Sequence, residues 1–267
     1  MAAFSLIVMA GGCGASTADQ QIKKRLGSAN ASIRLKAVSE AEAKPTGILR
    51  NELLRMFEDD HELPIVRGAA GMALGRLHDP RVVEGALKQI PAAVASARAT
   101  NSANQMDAFL IGKTLAAYGP ESISYLAPLL KDKRREVAAW AIALHGMFRR
   151  NDQALQVLAN AMKDPDALYR RSAAYGLALL FHPQAEPILV RHLDDPDAEV
   201  RYHVAWGLEN SGTAATLAPL EKQLTREREP QLKQELTAAI AAVKSRLQVP
   251  AAPPSSTAPV SPRKNPR

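Results

Sequence analysis

Apolar residues in the middle of the chain recur at the spacing of an α-helix. Val66, Ala69, Ala70, Ala73 and Leu74 stand at positions i, i+3, i+4, i+7 and i+8, so they share one helical face. Alternating runs of β-branched residues, which are typical of half-buried strands, do not occur. Alanine is abundant on the apolar face, and small side chains allow helices to pack closely. The pattern predicts an all-α protein of paired helices.

A short segment recurs along the chain with a period of about 31 residues. Its copies begin at Ile33, Val66, Val137, Tyr169 and Val200, and all except the copy at Val137 continue with an arginine. The wider interval between Val66 and Val137 accommodates one further degenerate copy, around residues 107–116. Residues 231–247 predict a terminal helix. Tandem units of this length predict a stack of helical hairpins.

The second half of each unit has its own apolar stripe. The i, i+4 pairs are Leu158/Met162, Leu189/Leu193 and Leu220/Leu224. The motifs that separate the units and supply N-caps are Asp164-Pro165-Asp166 and Asp195-Pro196-Asp197. Glycines 75, 119 and 212 are predicted to form left-handed helix ends. Pro128 is expected to kink or delay a second helix, and residues 92–104 predict a longer loop that interrupts the stack.

One copy of the unit carries a resemblance to a known family. Asp195-Pro196-Asp197-Ala198-Glu199-Val200-Arg201, followed by Val204-Ala205-Trp206-Gly207-Leu208, resembles the short HEAT-like repeats of the phycobilin-lyase type, which are armadillo-like. The resemblance covers roughly residues 29–248. It implies a right-handed α-solenoid of about six to seven helical hairpins whose second helices line a concave face. Because such repeats serve many partners, the resemblance specifies the fold rather than the function.

The first residues predict a targeting segment. Residues 2–10 are apolar, and small residues and Cys13, the one cysteine, follow. Ala10-Gly11-Gly12-Cys13 resembles a bacterial lipoprotein signal, although no Lys or Arg precedes the apolar stretch and Ala10 stands where leucine is commoner. The resemblance implies a signal peptide over residues 1–12, lipid on Cys13 and a polar tether over residues 13–28. The alternative is a frayed N-terminus with an unmodified cysteine.

Composition and charge narrow the classes of function. Apolar residues make up 46% of the chain, which is enough for a core, and 34 Lys and Arg against 27 Asp and Glu give a net charge of +7. Arg263, Lys264 and Arg267 contribute three of these charges in the Pro-rich residues 249–267, which predict a disordered spacer or a peptide for a polyproline-binding partner. Nucleic-acid binders more often cluster basic residues on one face, so the charge does not favour nucleic acid.

The recurring arginines are Arg34, Arg67, Arg170 and Arg201. The favoured interpretation is structural: each arginine pairs with a carboxylate between repeats, such as Asp164 or Asp195. The family resemblance implies the same role, because these repeats use the arginine to tie neighbouring turns together. The alternative is a ladder that binds anions.

The second helices offer candidate partner-binding residues. Alignment at a 31-residue offset places Asn160, Arg191 and Lys222 in one column and Lys163 in the adjacent column. All four avoid the Leu/Met stripe, so they are predicted to face solvent. We hypothesise that they contribute to a ridge that binds a partner, with an ordinary solvated helix surface as the alternative.

No pattern for catalysis, a cofactor or a metal accompanies the repeat. The six histidines include no H-x-x-x-H pair, and no nucleophile elbow occurs. Trp140, Trp206 and Tyr175 fall on first helices, where packing is expected and an aromatic platform for a ligand is the alternative.

The sequence as a whole favours a non-catalytic scaffold or adaptor that binds another protein on its concave face. The lipid on Cys13 implies an address at the bacterial cell envelope, on the outer membrane where the cell has one. Two alternatives remain open, both of them cytoplasmic. One is an enzyme or enzyme subunit resembling the bilin lyases, and the other is a HEAT-type protein that binds nucleic acid.

Overall fold

The computed structural model of the protein describes residues 16–100 and 105–248. Within these ranges the chain forms helices and no β-strand, which confirms the predicted all-α architecture. None of the described helices combines the length and the apolar character that crossing a bilayer requires. Residues 1–12, Cys13 and residues 249–267, to which the sequence assigned a signal, a lipid site and a spacer, lie outside the described residues.

The described helices follow one another with short connections. The α-helices are α1 (Thr17–Leu26), α2 (Ala31–Ala43), α3 (Gly47–Glu58), α4 (Pro64–Arg76), α5 (Arg81–Thr100), α6 (Gln105–Tyr118), α7 (Arg135–Leu144), α8 (Asp152–Ala161), α9 (Ala167–Leu180), α10 (Ala185–Val190), α11 (Ala198–Ser211), α12 (Leu217–Arg226) and α13 (Pro230–Gln248). Shorter 3-10 segments cover Pro120–Leu126, Leu129–Lys131, His145–Met147 and Ala214–Thr216. The chain divides into two compact units after Ala185.

The first unit is a stack of helical hairpins. Within hairpins, α2 contacts α3, α4 contacts α5, and α7 contacts α8. Between hairpins, first helices pack on first helices, as α2 does on α4, α4 on α6 and α7 on α9. Each helix therefore meets its neighbour in the chain and the equivalent helix of the next hairpin, which is the packing of an α-solenoid.

The second unit, taken by itself, has the same kind of helix packing. Here α11, a first helix, packs on α13, and α12 also packs on α13. Val204 and Leu208 of α11, Leu220 of α12 and Leu236 of α13 are at most 1% exposed and form its core. The predicted terminal helix over residues 231–247 is therefore present as α13.

The predicted apolar register of the second helices is confirmed for five of its six residues, and Leu224 is only half-buried. Leu158, Leu189 and Leu220, one from each of three successive units of the repeat, are each 0% exposed. The predicted N-caps are also present, since the Asp166 carboxylate accepts from the Leu168 N–H at 3.0 Å and the Asp197 carboxylate accepts from the Val200 N–H at 3.1 Å.

The polar tether predicted over residues 13–28 is wrong for residues 17–26, which form α1. Ser16 caps this helix by accepting from the Asp19 N–H at 3.1 Å. Ile22 and Leu26, one helical turn apart, are 5% and 1% exposed against α2 and α3. Two apolar residues at i, i+4 spacing are thus enough to dock an otherwise polar helix on the first hairpin.

The two expected interruptions have different outcomes. The loop predicted over residues 92–104 is wrong for residues 92–100, because α5 continues through Pro91 to Thr100, with Ala93 and Val94 buried at 7% and 5% exposure. Residues 101–104 lie outside the described residues. The effect predicted for Pro128 is confirmed in a stronger form. No α-helix follows α6 before α7, and 3-10 segments stand on either side of Pro128.

Left-handed helix ends are placed differently from the prediction. Gly119 has a φ of +134°, but the residue with positive φ after α4 is His78, at +49°, rather than Gly75. A Cβ atom on Gly75 would lie 2.8 Å from the Thr114 carbonyl oxygen and 2.9 Å from the Tyr118 nitrogen. Gly75 therefore serves the close approach of α4 to α6. Gly212 has a φ of −62°, in the ordinary region.

Candidate partner-binding groove

An open groove of about 390 Å³ lies in the second unit, between the turn before α11 and the turn that joins α12 to α13. Its lining residues are Asp194, Asp195, Pro196, Arg201, Gln223, Arg226, Glu227, Arg228 and Glu229. Most of these side chains are charged, so the groove offers polar and ionic contacts.

The floor of the groove is a paired arginine and glutamate. Arg201 donates from Nε and Nη2 to the two carboxylate oxygens of Glu227, at 2.8 and 3.0 Å. The two side chains are only 15% and 3% exposed. Such a two-bond pair is geometrically specific as well as strong, so it fixes the α12–α13 turn against α11.

Glu227 is held in its ionised form. Besides Arg201, the main-chain N–H groups of Arg228 and Glu229 donate to Oε1 of Glu227, at 2.9 and 3.2 Å. The hydrogen bonds from Arg201 are the main cause that lowers the pKa of Glu227 to about 2. The Glu227 carboxylate is therefore a structural anchor of the turn between α12 and α13, with no proton to give at neutral pH.

The rim of the groove carries exposed cations, whereas the arginine of the floor is nearly buried and paired. Arg226 and Arg228 are exposed lining residues, and Lys222 is exposed one helical turn before Arg226 on α12. In the described part of the chain, none of these three side chains forms an ion pair. Asp194 and Glu229 supply the exposed negative charges of the rim.

The four predicted partner-binding residues are all exposed. In the second unit, Arg191 follows α10 and Lys222 lies on α12 beside the groove. Arg191 donates from Nε to the Pro187 carbonyl oxygen at 3.1 Å. In the first unit, Asn160 ends the exposed face of α8, and the Lys163 N–H donates to its carbonyl oxygen at 3.0 Å.

The recurring arginines tie the turns to the helices through main-chain oxygens. Nη1 of Arg34, Arg170 and Arg201 donates to the carbonyl oxygens six and five residues earlier. The accepting carbonyls are those of Ser28 and Ala29, of Asp164 and Pro165, and of Asp195 and Pro196, at 2.6–3.3 Å. The prediction had given this role to the carboxylates of Asp164 and Asp195. Those carboxylates accept from the N–H groups of Asp166 and Asp197, at 2.8 and 2.9 Å, and the Asp195 charge also contributes to the raised pKa of Arg201.

The first and the last of the recurring arginines, Arg34 and Arg201, also pair with a carboxylate from the next turn between repeats along the chain. Arg34 donates to Glu62 at 2.7 Å, as Arg201 does to Glu227. Arg67 lies 3.6 Å from the exposed carboxylate of Asp60. Sequence reasoning missed Glu62 and Glu227. The available signal was a glutamate two or three residues before a proline, Pro64 or Pro230, that opens the next helix.

Two histidines of the first unit, His145 and His182, serve the core and a turn. His182 is 9% exposed, accepts from the Gln184 N–H at 3.1 Å, and places Nε2 3.0 Å from the Asp152 carboxylate. His145 is 2% exposed and bonds through Nδ1 to the Ala141 carbonyl oxygen at 2.7 Å. Within residues 16–100 and 105–248, no three His, Cys, Asp or Glu side chains come together as metal ligands would.

Solved structures with a similar helical arrangement are distant. Human deoxyhypusine hydroxylase in complex with glycerol has 19% identity and a TM-score of 0.40, over 85% of this chain and 84% of its own. A designed armadillo repeat protein in complex with the peptide (KR)4 has 20% identity and a TM-score of 0.39, over 84% and 98%. An engineered protein has 18% identity and a TM-score of 0.38, over 85% and 96%. At these scores the likenesses carry no inference about function.

The family comparison gives a more direct result. No curated protein sequence matches this chain. Residues 155–241, which run from α8 into α13 and include the groove, match the model for HEAT repeats. Residues 155–241 are therefore similar to HEAT repeats, and the stacked hairpins of the described helices agree with this match.

Proposed function

We propose that this protein is a non-catalytic interaction scaffold that binds an acidic segment of another protein in the groove of the second unit. The fold is that of repeat proteins, whose extended surfaces commonly bind other proteins. The observation that carries the proposal is the rim of the groove. Lys222, Arg226 and Arg228 are exposed there without ion pairs, whereas the charges beneath them are paired.

The chemistry of the lining supports binding over catalysis. The nine lining residues include no hydroxyl, thiol or imidazole that would act as a nucleophile or a proton relay. Glu227 accepts five hydrogen bonds and has a pKa of about 2, so it is a poor proton acceptor at neutral pH. The groove therefore favours ionic contacts.

The contact would work through rim cations placed on a rigid base. Carboxylates of the partner would meet arginine guanidinium groups, which suit planar, two-bond recognition. Because these rim charges are exposed, they act mainly on the association rate and the choice of partner. The affinity is then expected to fall as salt increases, since the screening length is about 8 Å at physiological ionic strength.

The test uses the full chain and a fluorescein-labelled octaglutamate peptide, followed by fluorescence anisotropy at low salt. The groove variant combines Lys222→Glu, Arg226→Glu and Arg228→Glu. The control variant combines Lys24→Glu, Lys36→Glu and Lys44→Glu, which changes the net charge equally at exposed lysines of the first unit. We expect the groove variant to lose at least tenfold in affinity and the control at most twofold.

Three results would overturn the proposal. The first is a loss of affinity that is equal in the two variants, since it would mean that the peptide responds only to net charge. The second is no measurable binding by the unmodified chain. The third is tighter binding of a duplex DNA probe than of the peptide, with a steeper dependence on salt, which would favour the nucleic-acid alternative.

We also propose that lipid on Cys13 holds the scaffold at the bacterial cell envelope. The proposal rests on the apolar residues 2–10 and the small residues before Cys13. Intact mass of the protein from the membrane fraction of its host, compared with Cys13→Ser, tests it. A chain that begins at Cys13 and carries a lipid mass is expected. An unmodified chain that retains Met1 would refute lipid attachment at the cell envelope, and it would not affect the proposal for the groove.

A further inference from the structure

A second surface of the second unit joins aromatic rings to carboxyl groups. We call it the aromatic–acidic face, and it consists of Tyr202, His203, Trp206, Glu209 and Glu235. On α11, the Tyr202 and His203 rings lie 5.5 Å apart and the His203 and Trp206 rings 6.5 Å apart, each pair edge to face. Tyr202 is 41% exposed, so the face is open to solvent at this end.

The two glutamates of the face repel one another. Glu235 of α13 lies beside Glu209 of α11, and burial, followed by the Glu209 charge, raises the pKa of Glu235. Oε1 of Glu235 is buried and has no hydrogen-bond partner in the described residues. The Glu235 carboxylate also raises the pKa of Tyr202, which places the negative charge beside that ring. A cation at this face would relieve the repulsion.

Aromatic rings beside carboxylates suit Lys or Arg side chains. The faces of Tyr and Trp attract cations through the ring quadrupole, and guanidinium groups also stack on them. Tyr202 and Glu209 are seven residues apart on one helix, a span of about 10 Å at 1.5 Å per residue. The face is therefore long enough for two or three basic side chains of an extended peptide.

The chain contains a segment with this chemistry. Residues 249–267 include Arg263, Lys264 and Arg267 and no Asp or Glu, and we call residues 262–267 the basic segment. Extended at about 3.1 Å per residue, Arg263 and Arg267 stand about 12 Å apart, which matches the length of the face. The folded part of the second unit, residues 186–248, has the opposite balance, with 10 acidic and 8 basic side chains.

The basic segment is also within reach. Glu235 lies 13 residues before the end of α13 at Gln248, a distance of about 20 Å along the helix. Residues 249–263 extend to about 45 Å, so they can turn back along α13 to Glu235. Attachment to α13 gives a high effective concentration, so weak contacts suffice to hold the segment.

We propose that the basic segment docks on the aromatic–acidic face of its own chain. Two or three cations would lie against Tyr202, Trp206 and the two glutamates. The basic segment is not expected to bind in the groove, because the rim cations Lys222, Arg226 and Arg228 would repel it. This docking is independent of the proposed function, because the groove would bind an acidic partner and the aromatic–acidic face would bind a basic segment.

The test reads contact with Trp206 in the full chain. A bimane dye is placed on Ser261→Cys in a Cys13→Ser background, because tryptophan quenches bimane only near contact. We expect emission to rise at least twofold when Arg263, Lys264 and Arg267 are changed to Glu. The same rise is expected in 1 M salt, where the screening length is about 3 Å.

Matched variants locate the contact. Glu209→Gln with Glu235→Gln is expected to release the dye, whereas Glu221→Gln with Glu229→Gln, an equal charge change in the same unit, is expected to leave it quenched. The proposal is overturned if charge reversal of the basic segment leaves emission unchanged, or if quenching persists in Trp206→Phe. Quenching that grows with protein concentration would also overturn it, since the segment would then bind a second copy.

Discussion

The Arg201–Glu227 pair allows the stability of the protein to be predicted as a function of pH. The folded state holds the pKa of Glu227 at about 2, against an ordinary 4.5, chiefly through the hydrogen bonds from Arg201. The unfolded state therefore binds this proton more tightly. It follows that the stabilisation is complete above pH about 4.5 and is lost as the pH falls from there towards 2. The pKa difference corresponds to about 3 kcal/mol, which solvent in the open groove reduces to about 1–2 kcal/mol.

The perturbation is Arg201→Met, compared with Glu227→Gln and the double variant. Arg201→Met leaves a nearly buried carboxylate without its guanidinium and also removes the two bonds to main-chain oxygens. We expect it to lower the free energy of unfolding by about 2–3 kcal/mol at pH 7. Glu227→Gln keeps the bonds from Arg201 to the main chain and should cost less. Urea unfolding followed by circular dichroism at pH 7, 5 and 3 measures both effects, and the double variant gives the coupling between the side chains.

A surface pair provides the control. Arg134 lowers the pKa of Asp132 to about 2 as well, but the Arg134 side chain is 59% exposed. Solvent screening should make Arg134→Met nearly neutral. Equal destabilisation by Arg134→Met and Arg201→Met would refute the reasoning. So would an Arg201→Met variant that loses as much stability between pH 5 and 3 as the unmodified chain.

Three further predictions concern other parts of the chain. Gly75→Ala would press a methyl group against the main chain of Thr114 and should cost about 1–3 kcal/mol in thermal or urea unfolding, whereas Gly47→Ala, with nothing within 4 Å, should be neutral or slightly stabilising. Arg150 is exposed with a φ of +56°, so Arg150→Gly should raise the free energy of unfolding by up to about 1 kcal/mol and Arg150→Val should lower it. Burial lowers the pKa of His145 below 6.5, so the unfolded state binds this proton more tightly. The free energy of unfolding should therefore fall as the pH drops below 6.5, by at most about 1.4 kcal/mol per pH unit. His145→Leu should lose this dependence in unfolding measured between pH 7.5 and 5.5.

The repeat could be predicted because its signals are local and redundant. Leu158, Leu189 and Leu220 share one register, and each next first helix begins at an aspartate cap, as at Asp166 and Asp197. Periodicity and capping are properties of a few consecutive residues, so one sequence suffices to read them.

The remaining features depend on contacts between distant residues. The helix α1 exists because Ile22 and Leu26 meet the first hairpin, which a polar composition does not reveal. The left-handed residue after α4 is a histidine, and glycine was the expected type. The groove is formed when Glu227 meets Arg201, 26 residues away, and spacing alone pointed to the nearer carboxylate of Asp195.

The 3-10 segments around Pro128 have a consequence for how the first unit opens. Ile123 and Leu126 are 3% and 0% exposed there, so side-chain packing holds a stretch that lacks α-helical main-chain bonds. In a linear array each repeat is stabilised only by its neighbours, and local opening begins where the backbone is held least. Amide protons of residues 120–131 should therefore exchange with solvent deuterium before those of α4 and α9, and thermal fluctuations of the first unit should part it into an amino-terminal block ending with α6 and a block beginning with α7.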